Sequence, residues 1–386
     1  MAEPLSLDIE DIVHHFEDLE DPRSSVNMLH PLSSLIVIAI MAVLAGANGP
    51  TAIARWANLK SEFLQAVLKL PNGIPQKDVF RRVLGTLQPD AFQACFTLWI
   101  SALRAHAEKI GAVERPTLAV DGKTLRRTHN RKQNLGALHS VSVWASEYGL
   151  SLAQVATEDK SNEITAIPTV LALVDLRGAI VTIDAMGAQR AIAKQIVDAE
   201  ADYVLALKQN QKGLYKATVE YIEQHMETGF KDLGARRLDT KETKHGRTEH
   251  RTYVQMPAPK HLPGFSRWAG LLSIGIAMLS CVRDGKESVD IRYFISSLPV
   301  KVRQFAHAVR SHWGIENSCH WCLDVTYRED ELRVRDVCLR ENIAWLNRLT
   351  LSLLKQHPSK DSIVMKRRAC GWNDAFMLEV LTGSSG

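Results

Sequence analysis

The chain lacks a cysteine framework. Six cysteines are scattered over 386 residues without regular spacing, which argues against a disulfide scaffold and for a reducing compartment. Long hydrophobic runs are also missing. The most apolar stretch, Leu35 to Ala45, is too short to span a bilayer and predicts a buried helix instead. No Gly-rich phosphate loop is present, which sets ATP aside as a partner. The first 22 residues contain no Lys or Arg and no early apolar core, so they do not read as a signal peptide, and a cytoplasmic location with no membrane partner is expected. There is no internal repeat and no low-complexity segment. Charge of one sign is barely in excess: the formal net charge is +4, which by itself does not mark a nucleic-acid binder.

What is present is ordinary in bulk and informative in distribution. The length predicts two or three domains. Apolar residues at 46% and charged residues at 23% place the chain among soluble globular proteins. Basic residues cluster in three places: Lys123, Arg126, Arg127, Arg131 and Lys132; the stretch Arg236 to Arg251, together with His; and Lys366, Arg367 and Arg368. A solvated surface accounts for any one of these alone as well as a polyanion does.

Residues 9 to 105 read as helices joined by tight turns. Asp21-Pro22-Arg23 interrupts the first of them. His30-Pro31 precedes the apolar helix, with Ser33 or Ser34 as its cap, and Gly46 to Pro50 ends it. Thr51 to Leu68, Lys77 to Leu87 and Pro89 to Lys109 follow, with Pro71-Asn72-Gly73 as a turn. Arg81 and Arg82, beside Val79 and Phe80, suit a helix-turn-helix-like DNA reader, and a plain helical packing domain is the alternative.

The pattern changes near Arg115-Pro116. Thr117 to Val120 is a short β-rich run ending at Asp121. His139 to Ser146 and Ser151 to Thr157 are further strands around a turn at Gly149. Asn162 can cap a helix reaching about Leu176. Ala179 to Ile183 is a strand ending at Asp184, Gln189 to Glu200 a helix, and Tyr203 to Leu207 a strand. The order β, β, β, α, β, α, β makes a mixed α/β sheet. Residues 211 to 298 hold a helix from Leu214 to about Met226, a polar stretch from Asp232 to Arg251 and apolar, β-capable runs around Thr252–Val254, Leu271–Met278 and Ile291–Ile295; together they read as an insertion rather than part of that sheet. Arg303 to Cys322 is then a long helix and Cys338 to Gln356 another. The expected domains are 1–110, 111–210, 211–298, 299–356 and a tail, 357–386.

Asp121 and Asp184 each lie one residue beyond an apolar run, where functional side chains tend to project. If the two strands are neighbours, the carboxylates converge, and two close carboxylates repel unless a cation lies between them. A hard divalent ion with oxygen ligands resolves that conflict. On the helix from Arg303, Ala308, Ile315, Cys319 and Cys322 form one stripe at 100° per residue. Glu316 falls at the edge of that stripe, between His312 and His320 at i−4 and i+4, a place from which a third carboxylate reaches over a sheet edge.

Taken together, Ala-Val-Asp121-Gly-Lys-Thr-Leu-Arg-Arg, Asp159-Lys-Ser-Asn-Glu-Ile-Thr-Ala, Ile-Val-Thr-Ile-Asp184-Ala-Met-Gly and Val-Arg-Ser-His-Trp-Gly-Ile-Glu316-Asn-Ser resemble the H-repeat-associated (ISAs-type) insertion-sequence transposases. The resemblance extends through Asp21-Pro22-Arg23, His30-Pro31, Gly73-Ile74-Pro75 and Phe80-Arg81-Arg82 and covers nearly the whole chain. It implies a ribonuclease-H-like mixed-sheet core with an all-helical N-terminal domain and an insertion before the last catalytic helix. By position, it puts a DDE triad on Asp121, Asp184 and Glu316. It further implies two Mg²⁺ or Mn²⁺ ions, water attack releasing a 3′-hydroxyl at an element end, and attack of that hydroxyl on target DNA. DNA is the implied partner, and handling two ends together implies a homodimer on it. Lys123, Arg126, Arg127 and Lys208 follow core strands and are candidates to hold phosphates. Related bacterial families carry Tyr, Arg and Lys at −7, −4 and +7 from the last carboxylate, where this chain has Val309, His312 and Leu323. Arg310, His312 and His320 are the remaining basic candidates there. Trp144, Trp313 and Trp321 suit either a core or stacking on an extruded base.

Zinc readings rank lower. Cys319-His-Trp-Cys322 has no second pair, and His312, Glu316 and His320 lack the spacing of zinc proteases. The rivals from other classes are a non-catalytic DNA-binding relic of a mobile element and a metal-dependent nuclease without strand transfer.

Overall fold

Helices come first in the chain: α1 (Ile9–His14), α2 (Leu32–Leu44), α3 (Pro50–Leu59), α4 (Ser61–Val67), α5 (Lys77–Thr86) and α6 (Pro89–Ile110). Strands and helices then alternate as β1 (Thr117–Leu125), β2 (Leu138–Ala145), β3 (Leu150–Thr157), α7 (Glu163–Ala172), β4 (Ile180–Ile183), α8 (Arg190–Asp198), β5 (Asp202–Leu207) and α9 (Lys212–Met226). Four strands follow: β6 (Arg236–Lys244), β7 (Arg247–Pro257), β8 (Ser273–Arg283) and β9 (Lys286–Ser296). The last elements are α10 (Val302–Gly314), a π-helical segment Ile315–His320, α11 (Trp321–Val325), α12 (Val337–Gln356), α13 (Ile363–Trp372) and α14 (Asp374–Thr382). The computed structural model describes residues 8–24, 28–110, 115–130, 132, 134–157, 163–244, 247–283 and 286–383.

The chain divides into two units, Met1–Val113 with Gly122–Asn162 and Glu316–Gly386, and Glu114–Asp121 with Glu163–Ile315. The first, the helical unit, is built on α2 and α12. All 13 residues of α2 are buried, as expected of a helix that is apolar all round. It packs against α1, α3, α12 and α13. Helix α12 begins at an N-cap, Asp336, which accepts from the Leu339 amide. It is buried from Ile343 to Leu354, so its polar side chains need internal partners: Thr350 and Ser352 donate to the carbonyls of Leu346 and Arg348, and Asn342 donates to those of Leu84 and Leu87. In this unit β2 pairs antiparallel with β3, in the order β3-β2-β1.

The second, the sheet unit, orders its strands β1-β4-β5-β9-β8-β7-β6. Strands β1, β4 and β5 are parallel, and β9 joins β5 antiparallel with Val204 opposite Ser296. Ile180, Val204, Tyr253 and Phe294 make a core with Phe305, Ala308 and Val309 of α10. A Cβ at Gly275 would collide with the Phe305 ring, so glycine is what lets α10 lie this close to β8.

The structure corrects several expectations. Ser33 and Ser34 do not cap α2; both lie buried inside it, and Pro31 holds the cap position without a side-chain bond. The helix expected over Thr51 to Leu68 breaks into α3 and α4 at Lys60, whose φ is −110°. Helix α7 ends at Ala172, short of Leu176, and the Asn162 cap lies outside the described residues. Strand β1 does not stop at Asp121 but runs on to Leu125. The region 211–298 is part of the sheet, because β9 pairs with β5 and carries β8, β7 and β6 beyond it. Residues 357–386 contain two capped helices instead of a tail, with Ser362 and Asn373 accepting from the Met365 and Phe376 amides. Among the described residues no helix is long and apolar enough to cross a membrane.

Candidate active site

In the sheet unit, Thr117 to Val120 of β1 are buried and lie in parallel register with Ile180 to Ile183 of β4, with Val120 opposite Ile183. Asp121 and Asp184 are each the next residue, so two carboxylates leave adjacent strands at the same end. Strands pair about 4.8 Å apart. Asp184 is held by its own turn: Oδ1 accepts from the Met186 amide at 3.0 Å and from the Gly187 amide at 3.4 Å. A Cβ at Gly187 would strike the side chains of Ile183 and Ile167. The turn is further tied by Asn210, which donates to the Ala185 carbonyl, and by Gln211, which donates to that of Ala188 at 3.1 Å.

Asp184 opens on a cleft of about 410 Å³ within this unit, whose walls include Thr182, Lys208, Tyr215, Arg292, His312 and Trp313. His312 Nδ1 lies 3.0 Å from the Thr182 hydroxyl. The Arg292 guanidinium lies 4.3 Å from the centre of the Trp313 ring, a cation–π arrangement. Lys208 is exposed. The cleft thus sets a carboxylate among cations and an aromatic wall, which suits an anionic ligand. Arg310 differs from expectation: it pairs with Glu242 of β6 at 3.0 Å.

In the helical unit, Glu316 lies in the π-helical segment with its side chain 60% exposed. Ile315, Cys319 and Cys322 are buried, as the expected stripe requires. The expected single helix is interrupted here because the chain takes a π turn, a feature common at functional sites. His320 is buried, with Nδ1 3.7 Å from Glu316 Oε2. Burial pulls the imidazole below its ordinary value, against the opposing pull of the Glu316 carboxylate.

The basic candidates of this unit separate into two kinds. Lys123 is buried and surrounded by acids: it binds Asp324 closely, with Glu329 at 3.9 Å and Asp330 at 3.8 Å. It is therefore engaged internally rather than presented to phosphate. Lys366 and Arg367 are also buried, because their donors close helix ends and turns. Lys366 donates to the Leu354 and His357 carbonyls, and Arg367 to those of Thr326 and Val43. Arg126, Arg127 and Arg368 are exposed, as are Arg81 and Arg82, which lie on α5 away from its buried face of Phe80, Val83 and Leu84. Of the three tryptophans, Trp144 is core, while Trp313 and Trp321 are 39% and 57% exposed.

Reading the residues alone missed Arg292 and the arginines between α11 and α12. Arg292 sits on a strand of mixed polarity and gave no signal. The run Arg328-Glu-Asp-Glu-Leu-Arg-Val-Arg335 was visible as a charge-dense link between two helices.

Residues 113–353 match the family described as Transposase DDE domain, and residues 13–100 match the one described as DDE_Tnp_1-associated. The chain is 35% identical to "Putative transposase YncI" of Escherichia coli O157:H7, over 98% of this chain and 96% of that one. It is 31% identical to "H repeat-associated putative transposase YhhI" of Escherichia coli strain K12, over 98% and 99%. It is 40% identical to an uncharacterized protein in the dhlA 3′ region of Xanthobacter autotrophicus, over 73% and 92%. With two strand-end carboxylates on adjacent parallel strands and a family match across most of its length, the chain belongs to the DDE transposases, in the H-repeat-associated group.

Proposed function

We propose that the chain cuts and joins DNA, with Asp121, Asp184 and Glu316 as a metal-binding triad. The observation that carries this is the pair of carboxylates at the same end of β1 and β4, one residue past Val120 and Ile183. Carboxylate oxygens are the donors that Mg²⁺ or Mn²⁺ prefers, so the residues fit two such ions. Glu316 would complete the donor set, with His320 beside it. Bound divalent ions would supply Lewis-acid stabilisation of charge on the scissile phosphate and lower the pKa of attacking water.

The chain's own side chains contribute position and charge. The Asp184 turn keeps that carboxylate from rotating away. Lys208 and Arg292 line the cleft beside it and would hold the DNA backbone. Trp313, with one face on Arg292, offers the other to a base. Joining two element ends calls for two chains, so a homodimer forms on DNA.

The test is Mg²⁺-dependent nicking and joining of duplexes that carry the element ends. Wild type is compared with Asp121→Asn, Asp184→Asn and Glu316→Gln. Loss of both products in all three variants supports the reading. Nicking without joined products would make the chain a metal-dependent nuclease. Tight binding with no cutting would make it a DNA-binding relic.

A further inference from the structure

Between α11 and α12 the chain runs Arg328-Glu-Asp-Glu-Leu-Arg-Val-Arg-Asp336, and two of its side chains point inward. Glu329 is buried and accepts from Asn347 at 3.2 Å and from Arg348 at 3.4 Å. Leu332 packs against Leu125, Leu138 and Ala344. These two anchors fix the link to α12 and β1. Arg328, Glu331, Arg333 and Arg335 are exposed. Arg328 adopts φ of 57°, a conformation an arginine holds only when its surroundings impose it.

The loop after β1 is tied to the same helix. Arg340 donates to the carbonyls of Gly136 at 2.8 Å and Thr128 at 3.5 Å. Arg126 and Arg127 of that loop are exposed, and Arg126 comes within 3.7 Å of Asp330. Arg328 binds Glu331 at 2.5 Å. Glu331 is held below the ordinary carboxylate range by that bond first, with Arg127 and Arg333 adding to it through their charge. Two loops, each anchored by a contact to α12, therefore present exposed arginines at one place, with Arg328 on Glu331 and Arg126 beside Asp330 of the same link.

We propose that Arg127, Arg328 and Arg333, with Arg126, bind the backbone phosphates of duplex DNA, and that Glu331 occupies them until DNA arrives. This rests on the reading that the chain's partner is DNA. Guanidinium forks match phosphate oxygens in pairs. Pre-anchored loops lose less freedom on binding than mobile ones. Several guanidiniums spread over two loops fit a run of phosphates better than one free anion. Glu331 carries the charge of one phosphate group and makes the same kind of contact.

The experiment is duplex binding by the full chain, followed by fluorescence anisotropy in EDTA, with a random-sequence duplex over a salt series. Each phosphate contact contributes about 0.9 to the slope of log affinity against log salt. Arg127→Ala, Arg333→Ala and Arg328→Asn (asparagine tolerates the positive φ) should each weaken binding and flatten that slope by about one. Between about 50 and 200 mM salt, each lost contact removes roughly a three- to fourfold share of the affinity drop. Glu331→Gln should tighten binding, because it frees the arginines, and inorganic phosphate at constant ionic strength should not compete. Circular dichroism confirms that each variant is folded. An unchanged slope in the three folded arginine variants, weaker binding by Glu331→Gln, or displacement by inorganic phosphate would each overturn the proposal. Nicking with Mg²⁺ is scored separately. Its absence alongside the expected salt slopes sinks the transposase chemistry and leaves this surface standing.

Discussion

Arg348 of α12 and Glu329 of the α11–α12 link face each other at 3.4 Å with both side chains fully buried. Lys123 of β1 lies 3.9 Å from the same carboxylate, and Arg348 also reaches Ser140 of β2. One buried acid thus joins a helix, two strands and the arginine-bearing link.

Breaking that pair from one side leaves a charge buried without its partner. Arg348→Met or Glu329→Gln should cost about 3–5 kcal/mol of stability, measured as a lowered urea midpoint. Replacing both with apolar residues of similar volume should restore much of the loss. Equal destabilisation in the single and double variants would show that packing, not charge pairing, matters at this place.

Acid should act on the first turns of the chain through Arg23. His30 is buried, and burial followed by the Arg23 charge lowers its pKa from 6.5. The unfolded chain then takes up the proton more readily, so stability is full above pH 6.5 and falls as pH drops through that value. Asp21 follows the same rule at lower pH: the Arg23 hydrogen bond holds its pKa below 3.8, and its contribution is lost as pH falls from that ordinary value through the lower folded one. His30→Gln should flatten thermal stability between neutral pH and about pH 5 relative to wild type while leaving the loss at lower pH in place. An undiminished slope in the variant would remove His30 from the account.

Gly275→Ala should destabilise the sheet unit by about 1–3 kcal/mol, the usual cost of forcing extra volume into a packed core. The added Cβ meets the Phe305 ring of α10. Adding Phe305→Leu should recover part of that loss in denaturant unfolding.

Burial raises the Cys319 thiol to about 11 and the Cys370 thiol to about 12. Both should resist iodoacetamide in the native protein at mildly alkaline pH, while the more accessible Cys281 reacts first. Mass spectrometry of alkylated peptides reads the order directly.

The positions of the candidate carboxylates were legible because their surroundings are local. Apolar β-branched runs ending at Asp121 and Asp184 marked two strand ends, whose pairing only the fold supplies, and the stripe of Ile315, Cys319 and Cys322 placed Glu316 at its edge. The π turn was not legible, since the stripe fits either helix type over so few residues. The inner halves of β7, β8 and β9 showed as apolar runs, but their full length and their place in the core sheet did not. The β9 residues from Lys286 to Ile291 are exposed on both faces, so no apolar alternation marks that half of the strand, and β6 has Leu238 as its one apolar residue. Lys366 and Arg367 looked like surface because a basic run carries no sign of the carbonyls that wait for it inside the fold. Lys123 misled in the same way, as its acidic partners lie some two hundred residues away in sequence.

The claim that Asp121, Asp184 and Glu316 hold the divalent ions is tested most directly by letting the metal mark its own neighbourhood. With Fe²⁺ in place of Mg²⁺, and ascorbate and peroxide added, hydroxyl radicals cut the polypeptide beside the bound ion. The account predicts cuts clustered at residues near 121, 184 and 316, suppressed by excess Mg²⁺ and lost in Asp184→Asn. Cuts elsewhere, or a pattern indifferent to Mg²⁺ and to that substitution, would contradict it.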